Sequence, residues 1–348
     1  MRALRDRPIP HRVKRDGDGQ RLDEYLLRVV PRTTPEEVAE AIAAGRFRWR
    51  GDEEPLAADA VMVAGETLMA DVPDMTPADP FLPTPSDAPD VLFHDEALFV
   101  VNKPAGQLCY PLGPRKVAAQ SLAEAWLEAQ GESPELRPLH RIDRETSGVL
   151  MFARHKQADR RVKKAFQRRA VEKSYLALVR GHVSDELLLI DGPIGPEGKD
   201  IRIKMAVRDD GQEATTEVRV LGRFGDDDFG ESGRGYSWVE ARPRTGRTHQ
   251  IRLHLAHAGH PLVGDKLYID GGHAFLRWWD GDYDASDVAR LGLARHALHA
   301  WNLALRHPMD GEVTHFRAPV PADLLEFARE RGGGPPPEPR PLPRPEPS

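Results

Sequence analysis

Two proline-rich stretches limit what this chain can fold into. Residues 73–89, PDMTPADPFLPTPSDAP, place six prolines in seventeen positions. Proline fixes φ and removes a backbone donor, so this stretch reads as a stiff, extended linker with no core of its own. From Arg331 onward the sequence RGGGPPPEPRPLPRPEPS carries eight prolines, which predicts a disordered or polyproline-like tail over 331–348. The 348 residues therefore divide into a small module over 12–72 and a large one over 90–330.

Charge and cysteine content narrow the classes. The net charge is −6, so any nucleic-acid partner must be met by local basic patches. A single cysteine, Cys109, excludes an internal disulfide framework and a Cys-rich zinc site and fits a reducing compartment. The first fifteen residues are basic but lead into no apolar run, unlike a secretory signal. No stretch approaches the roughly 18 apolar residues of a membrane span. A cytoplasmic monomer is the expectation.

The small module predicts two helices and a little sheet. Leu22, Tyr25, Leu26 and Val29 fall at helical spacing. In TPEEVAEAIAAG, Thr34 suits the cap, Pro35 the first helical position and Glu37 the third, as in a capping box. Gly45 suits the left-handed stop. RFRWRG (46–51) then alternates basic and aromatic residues as a strand does, and DAVMVAGETLMADVP (59–73) reads as a second short strand pair.

In the large module, VLFHDEALFVVNK (91–103) predicts a hairpin and GVLMFAR (148–154) a buried strand. Between them lies LHRIDRETSG (139–148), where one carboxylate, Asp143, sits between Arg141 and Arg144 on a loop entering a core strand. The following helix has Ala158, Val162, Ala165 and Phe166 as its apolar stripe. Arg160, Arg161, Lys163, Lys164, Arg168 and Arg169 occupy its other faces, a cluster suited to phosphates. KSYLALVRG (173–181) is a strand with Tyr175, Ala177 and Val179 on one face and Leu176 and Leu178 on the other.

TGRTHQ (245–250) reads as a turn feeding a helix that Gly259 and Pro261 end, and RHALHAWNLALRHP (295–308) as a closing strand beside that helix. His249, His254, His257 and His260 lack zincin spacing and acidic partners, so they read as packing residues and no metal is expected.

What could a lone aspartate among guanidinium groups do? An aspartic protease needs two aspartates, each adjacent to Thr/Ser-Gly, whereas Arg144 and Glu145 separate Asp143 from its Thr-Ser-Gly. A calcium loop at DGDGQRLDE fails because Arg21 stands at the sixth position in place of glycine. On the residues alone, Asp143 is equally well a catalytic group or a buried ion pair that fixes its loop.

The ordered blocks VVNKPAG, HRIDRETSG, KSYLALV, TGRTHQIRLHLAHAGHPLVGD and RHALHA resemble the RluA-type pseudouridine synthases over about 90–325. The signature His-Arg-Leu/Ile-Asp-x-x-Thr-Ser-Gly is met by His140, Arg141, Ile142, Asp143, Thr146, Ser147 and Gly148. GQRLDEYLLRVV, IAAGRFRWRG and VAGETLMADVP of the small module resemble an alpha-L RNA-binding domain. Its second helix, usually basic in that family, is acidic here, leaving Arg46, Arg48 and Arg50 as the phosphate contacts.

The resemblance implies an α+β fold with a mixed, largely antiparallel sheet and flanking helices. It implies an isomerase that turns uridine in RNA into pseudouridine without a cofactor, breaking the bond from nitrogen to ribose and forming one from carbon. Asp143 would be the nucleophile or base, Arg247 its charge partner, and Tyr175 the ring stacked on the flipped base. Arg141 would fill the vacated stack, and Lys163 and Lys164 would meet phosphates. Large-subunit ribosomal RNA is the expected target. Transfer RNA is the alternative, and a non-catalytic RNA-binding or assembly factor is the rival from another class.

Overall fold

Thr34 accepts a hydrogen bond from the Glu37 backbone N–H at 3.2 Å, and Glu37 accepts one from the Thr34 N–H at 2.9 Å, completing the capping box. In the computed structural model, residues 9–30, 34–71, 81–82, 87–112, 117–198, 201–226, 235–339 and 341–343 are described. Most of the proline-rich 73–89 segment lies outside them. The chain divides into two compact units, 1–75 with 110–118 and 76–109 with 119–348.

The front unit contains α1 (Leu22–Val29), α2 (Pro35–Ala43) and an antiparallel sheet of β1 (Ile9–Arg12), β2 (Phe47–Trp49) and β3 (Thr67–Ala70) in the order β1-β3-β2. Leu22, Tyr25, Leu26, Val38, Ile42, Phe47, Met62 and Leu68 form its core. Gly45 has φ of 68°, the left-handed stop its position requires. The strand pair expected over 59–73 is a single strand, β3. Val61 makes only an isolated bridge to Arg21, and the partner on the free side of β3 is β1, whose first residues precede the expected boundary.

The second unit is built on ten strands. They are β4 (Val91–His94), β5 (Leu98–Lys103), β6 (Arg137–Pro138), β7 (Ser147–Ala153), β8 (Glu172–Arg180), β9 (Leu187–Asp191), β12 (Thr215–Phe224), β13 (Tyr236–Pro243), β14 (Leu298–Arg306) and β15 (Val313–Arg317). The path runs β4-β5-β7-β14-β8-β13-β12-β9, with β6 paired to β7 and β15 to β14. Every pairing is antiparallel except β7 with β14. A separate antiparallel pair joins β10 (Ile194–Pro196) and β11 (Met205–Val207).

The helices are α3 (Ala119–Ala129), α4 (Lys156–Gln167), α5 (Gln250–His257), α6 (His273–Asp280), α7 (Ala285–Leu291) and α8 (Ala322–Glu330). α4 buries Ala158, Val162 and Ala165 and keeps its five basic residues, Lys156, Arg160, Arg161, Lys163 and Lys164, exposed. β8 alternates as its sequence demands: Ala177 and Val179 join one core, with Tyr175 packed against it, and Leu176 and Leu178 join another.

The described part of the proline-rich tail departs from the expected solvated chain. It has no helix or strand, but Leu342 is buried and Arg317 pairs with Glu338. Trp238 explains part of this. Its indole is 2% exposed and its N–H needs an acceptor, which Gly334 O supplies at 3.0 Å.

Candidate active site

Asp143 lies on the loop between β6 and β7, and neighbours hold its backbone on several sides. Thr146 N–H donates to Asp143 O at 3.1 Å, Cys109 Sγ donates to Ile142 O, and Gly106 N–H donates to Arg144 O at 2.9 Å. Lys103, fully buried, donates to Arg144 O at 3.0 Å and to the carbonyls of Pro104 and Gln107. Burial pushes this amine down to about 7. Three acceptor carbonyls nevertheless call for three protons, which only the ammonium form supplies.

The Thr-Ser-Gly turn after the aspartate is clamped onto β14 and the residues just before it. Thr146 Oγ1 lies 2.7 Å from His296 Nε2, and Ser147 Oγ lies 2.9 Å from His299 Nδ1. Gly148 has φ of 110°, and a Cβ there would come 2.2 Å from Ala300 O. Only glycine lets the two parallel strands approach at that point. The turn is a structural device that aims Asp143 outward.

Asp143 opens into a cavity of about 910 Å³ lined among others by Arg141, Tyr175, Arg247, His249 and Arg252. Its carboxylate is 23% exposed and accepts a 2.9 Å hydrogen bond from Arg252 Nη1. The same guanidinium makes a bidentate pair with fully buried Asp265, at 2.8 Å from both Nε and Nη2. Burial pushes the Asp143 carboxyl up, but the neighbouring His249, Arg252 and Arg141 more than offset it, and its pKa lies below the ordinary value. His249 is itself pushed down to about 4, by burial first and then by Arg252. At neutral pH its ring is uncharged, and the standing cations are Arg252 and Arg141.

The cavity thus brings together Asp143, Tyr175, Arg141 and Arg247, but it corrects one assignment. The guanidinium that bonds Asp143 belongs to Arg252 in place of Arg247, whose Nε donates to Glu213 O. Arg247 stands in the turn before α5, whereas Arg252 is inside the helix and 7% exposed. Asp265, His249 and Tyr268 were also missed as site residues. The signal available was an acid, Asp265, directly after the apolar run PLVG. Among the four histidines, His254 is a buried packing residue bonded to Thr216 Oγ1 and Gly192 O, while His257 is exposed and His249 faces the cavity. Among the described residues no three His, Cys, Asp or Glu side chains converge as a metal ion would require. Arg46, Arg48 and Arg50 belong to the front unit, and Lys163 and Lys164 to the exposed face of α4.

Residues 97–257 match the RNA pseudouridylate synthase family. This chain belongs to it. An RNA pseudouridine synthase of Chloroflexus aurantiacus is 36% identical over 89% of this chain and 90% of its own length. The ribosomal large subunit pseudouridine synthase D of Xanthomonas campestris is 35% identical over 88% of this chain and 87% of its own. Among solved structures, human RNA pseudouridylate synthase domain containing 1 shares 27% identity and superposes with a TM-score of 0.54 over 70% of this chain and 89% of that one. The protein is therefore an RNA pseudouridine synthase, an isomerase acting on RNA. Its α+β fold with a mixed sheet is the one the resemblance implied. Among the described residues no helix is long and apolar enough to cross a membrane.

Proposed function

We propose that this pseudouridine synthase acts in the cytoplasm, as a monomer, on uridine in large-subunit ribosomal RNA, with Asp143 as the reacting carboxylate. The observation that carries the reading of the site is the ionised Asp143 at the wall of a cavity, held 2.9 Å from Arg252. A charged carboxylate is what either attack on the ribose or removal of a proton requires. The names of several relatives support the choice of RNA.

In this reading the uridine leaves its stack and enters the cavity, and Arg141, exposed beside Asp143, fills the vacancy. Extrusion costs a few kcal/mol, which such an insertion partly offsets. Tyr175 stacks on the base. The N1–C1′ bond breaks, the uracil turns without leaving, and the C5–C1′ bond forms. The proton lost from C5 balances the one gained at N1, so no group enters or leaves. Arg247, at the cavity wall, meets substrate phosphate or sugar.

The exposed cations of α4, including Lys163 and Lys164, and Arg46, Arg48 and Arg50 of an alpha-L-like front unit track the RNA backbone. Mapping pseudouridine in ribosomal and transfer RNA from cells with and without the gene tests the target. Loss of a site in large-subunit ribosomal RNA alone is expected. Loss confined to transfer RNA would move the enzyme to that substrate.

A further inference from the structure

His249 has a geometry that the reaction as described does not use. It caps α5 in the left-handed conformation, with φ of 58°, which is unfavourable to a residue bearing a Cβ. The turn sets its ring in the cavity wall, with Nε2 3.9 Å from Asp143 Oδ2. On the other side, Nδ1 lies 3.0 Å from the Tyr268 hydroxyl, and that hydroxyl accepts the Met205 backbone N–H at 3.1 Å. The two rings meet edge to face at 5.7 Å.

This network points to one tautomer of the ring. The phenol gives one lone pair to Met205 N–H, and its own proton has Nδ1 as acceptor. An uncharged imidazole whose Nδ1 accepts must carry its hydrogen on Nε2, the atom that faces Asp143.

A separation of 3.9 Å is too long for a direct hydrogen bond. It does suit a single oxygen about 2.8 Å from each atom. That oxygen would have to accept from Nε2–H and donate to the carboxylate. A hydroxyl does both. A uracil carbonyl has no proton to give and would meet the carboxylate lone pair against lone pair. Arg252 spends three of its five N–H donors on the two aspartates, Nε and Nη2 on Asp265 and Nη1 on Asp143.

We propose that the gap between His249 and Asp143 receives the ribose 2′-hydroxyl of the extruded uridine, making His249 the residue that distinguishes ribose from deoxyribose at the target. The 2′-hydroxyl is adjacent to C1′, where the glycosidic bond is exchanged, so it is the hydroxyl nearest a carboxylate acting there. It is also the group by which a protein tells RNA from DNA. The proposal rests on Asp143 being the reacting carboxylate. Tyr268 acts at one remove, as a positioning residue that fixes the tautomer.

The test is a double-mutant cycle between protein and substrate. The substrate is a synthetic RNA hairpin centred on the uridine that the enzyme converts in a large-subunit ribosomal RNA transcript. It is made with either uridine or 2′-deoxyuridine at that position, and pseudouridine nucleoside is read by mass spectrometry after digestion. The wild-type enzyme should turn over the deoxy hairpin about 10- to 100-fold more slowly. His249→Leu should lose about the same on the uridine hairpin and no more than about 3-fold further on the deoxy one. His249→Gln, whose amide N–H can reach the same place, should recover part of the uridine rate. Tyr268→Phe should lose rate on the uridine hairpin alone.

Equal losses by His249→Leu on both hairpins, or equal wild-type rates on them, would overturn the proposal. Asp143→Asn in the same assay separates this failure from the deeper one. An inactive Asp143→Asn keeps the reading of the carboxylate whatever His249 does, and an active one overturns both.

Discussion

Arg252 holds two aspartates at once: Nη1 reaches Asp143 at 2.9 Å while Nε and Nη2 grip Asp265 at 2.8 Å each. Asp265 is fully buried and is further fixed by the N–H groups of Leu267 and Tyr268. The Asp143 carboxylate is thereby anchored to the core through a planar group.

Replacing Arg252 should expose both halves of that arrangement. Arg252→Met leaves Asp265 buried without its cation, which should cost about 3–5 kcal/mol of stability. Arg252→Lys keeps a charge but cannot span two carboxylates with a rigid fork. It should stay folded yet lose at least about 10-fold in kcat, the scale of one charged hydrogen bond. Denaturant titration and steady-state kinetics read the two effects separately. A lysine variant with unchanged kcat would remove Arg252 from the site.

Gly148→Ala should be among the most damaging single-methyl changes in the chain. Its Cβ would lie 2.2 Å from Ala300 O at a φ of 110°. A loss of more than about 3 kcal/mol is expected from the forced separation of β7 and β14. Thermal and urea unfolding measure it, and a loss below about 1 kcal/mol would mean that the strands part freely.

Buried histidines make stability depend on pH in a definite direction. His140 and His299 are pushed down to about 3, and His249 to about 4, in each case by burial first. His296 is lowered in the same sense. In the unfolded chain a histidine titrates near 6.5, so between that value and about 4 the unfolded state binds more protons. Stability is then full above pH about 6.5 and falls as pH drops toward 4, by about 1.4 kcal/mol per pH unit for each such group. The depressed carboxylates act in the same direction, but at lower pH. Replacing His299 by glutamine should flatten the slope by about that amount, as urea titrations between pH 4.5 and 6.5 would show. An unchanged slope would place the proton uptake elsewhere.

The parts of this architecture written in short-range pattern were legible in the sequence. The Thr34–Glu37 box, the alternation of β8 around Tyr175 and the apolar stripe of α4 all depend on neighbours within a few positions. Asp143 was singled out by its surroundings, and the resemblance supplied a role. Its cation was harder to place. Arg247 and Arg252 stand five positions apart, and which one meets Asp143, more than a hundred residues away, depends on the left-handed turn at His249. A positive φ at histidine leaves no mark in composition or periodicity. The tail misled for a related reason. Its prolines rule out helix and ladder, but not an extended path along a surface where Trp238 lacks an acceptor of its own.

Replacing one oxygen of Asp143 by nitrogen probes the whole account at its centre. Wild-type enzyme and Asp143→Asn would be compared on large-subunit ribosomal RNA transcribed with 5-tritiated uridine, reading tritium released from C5 alongside RNA affinity and melting temperature. Asp143→Asn should bind RNA and remain folded while releasing label at less than about one thousandth of the wild-type rate. Release at a normal rate from that variant would show that the chemistry resides in some other group.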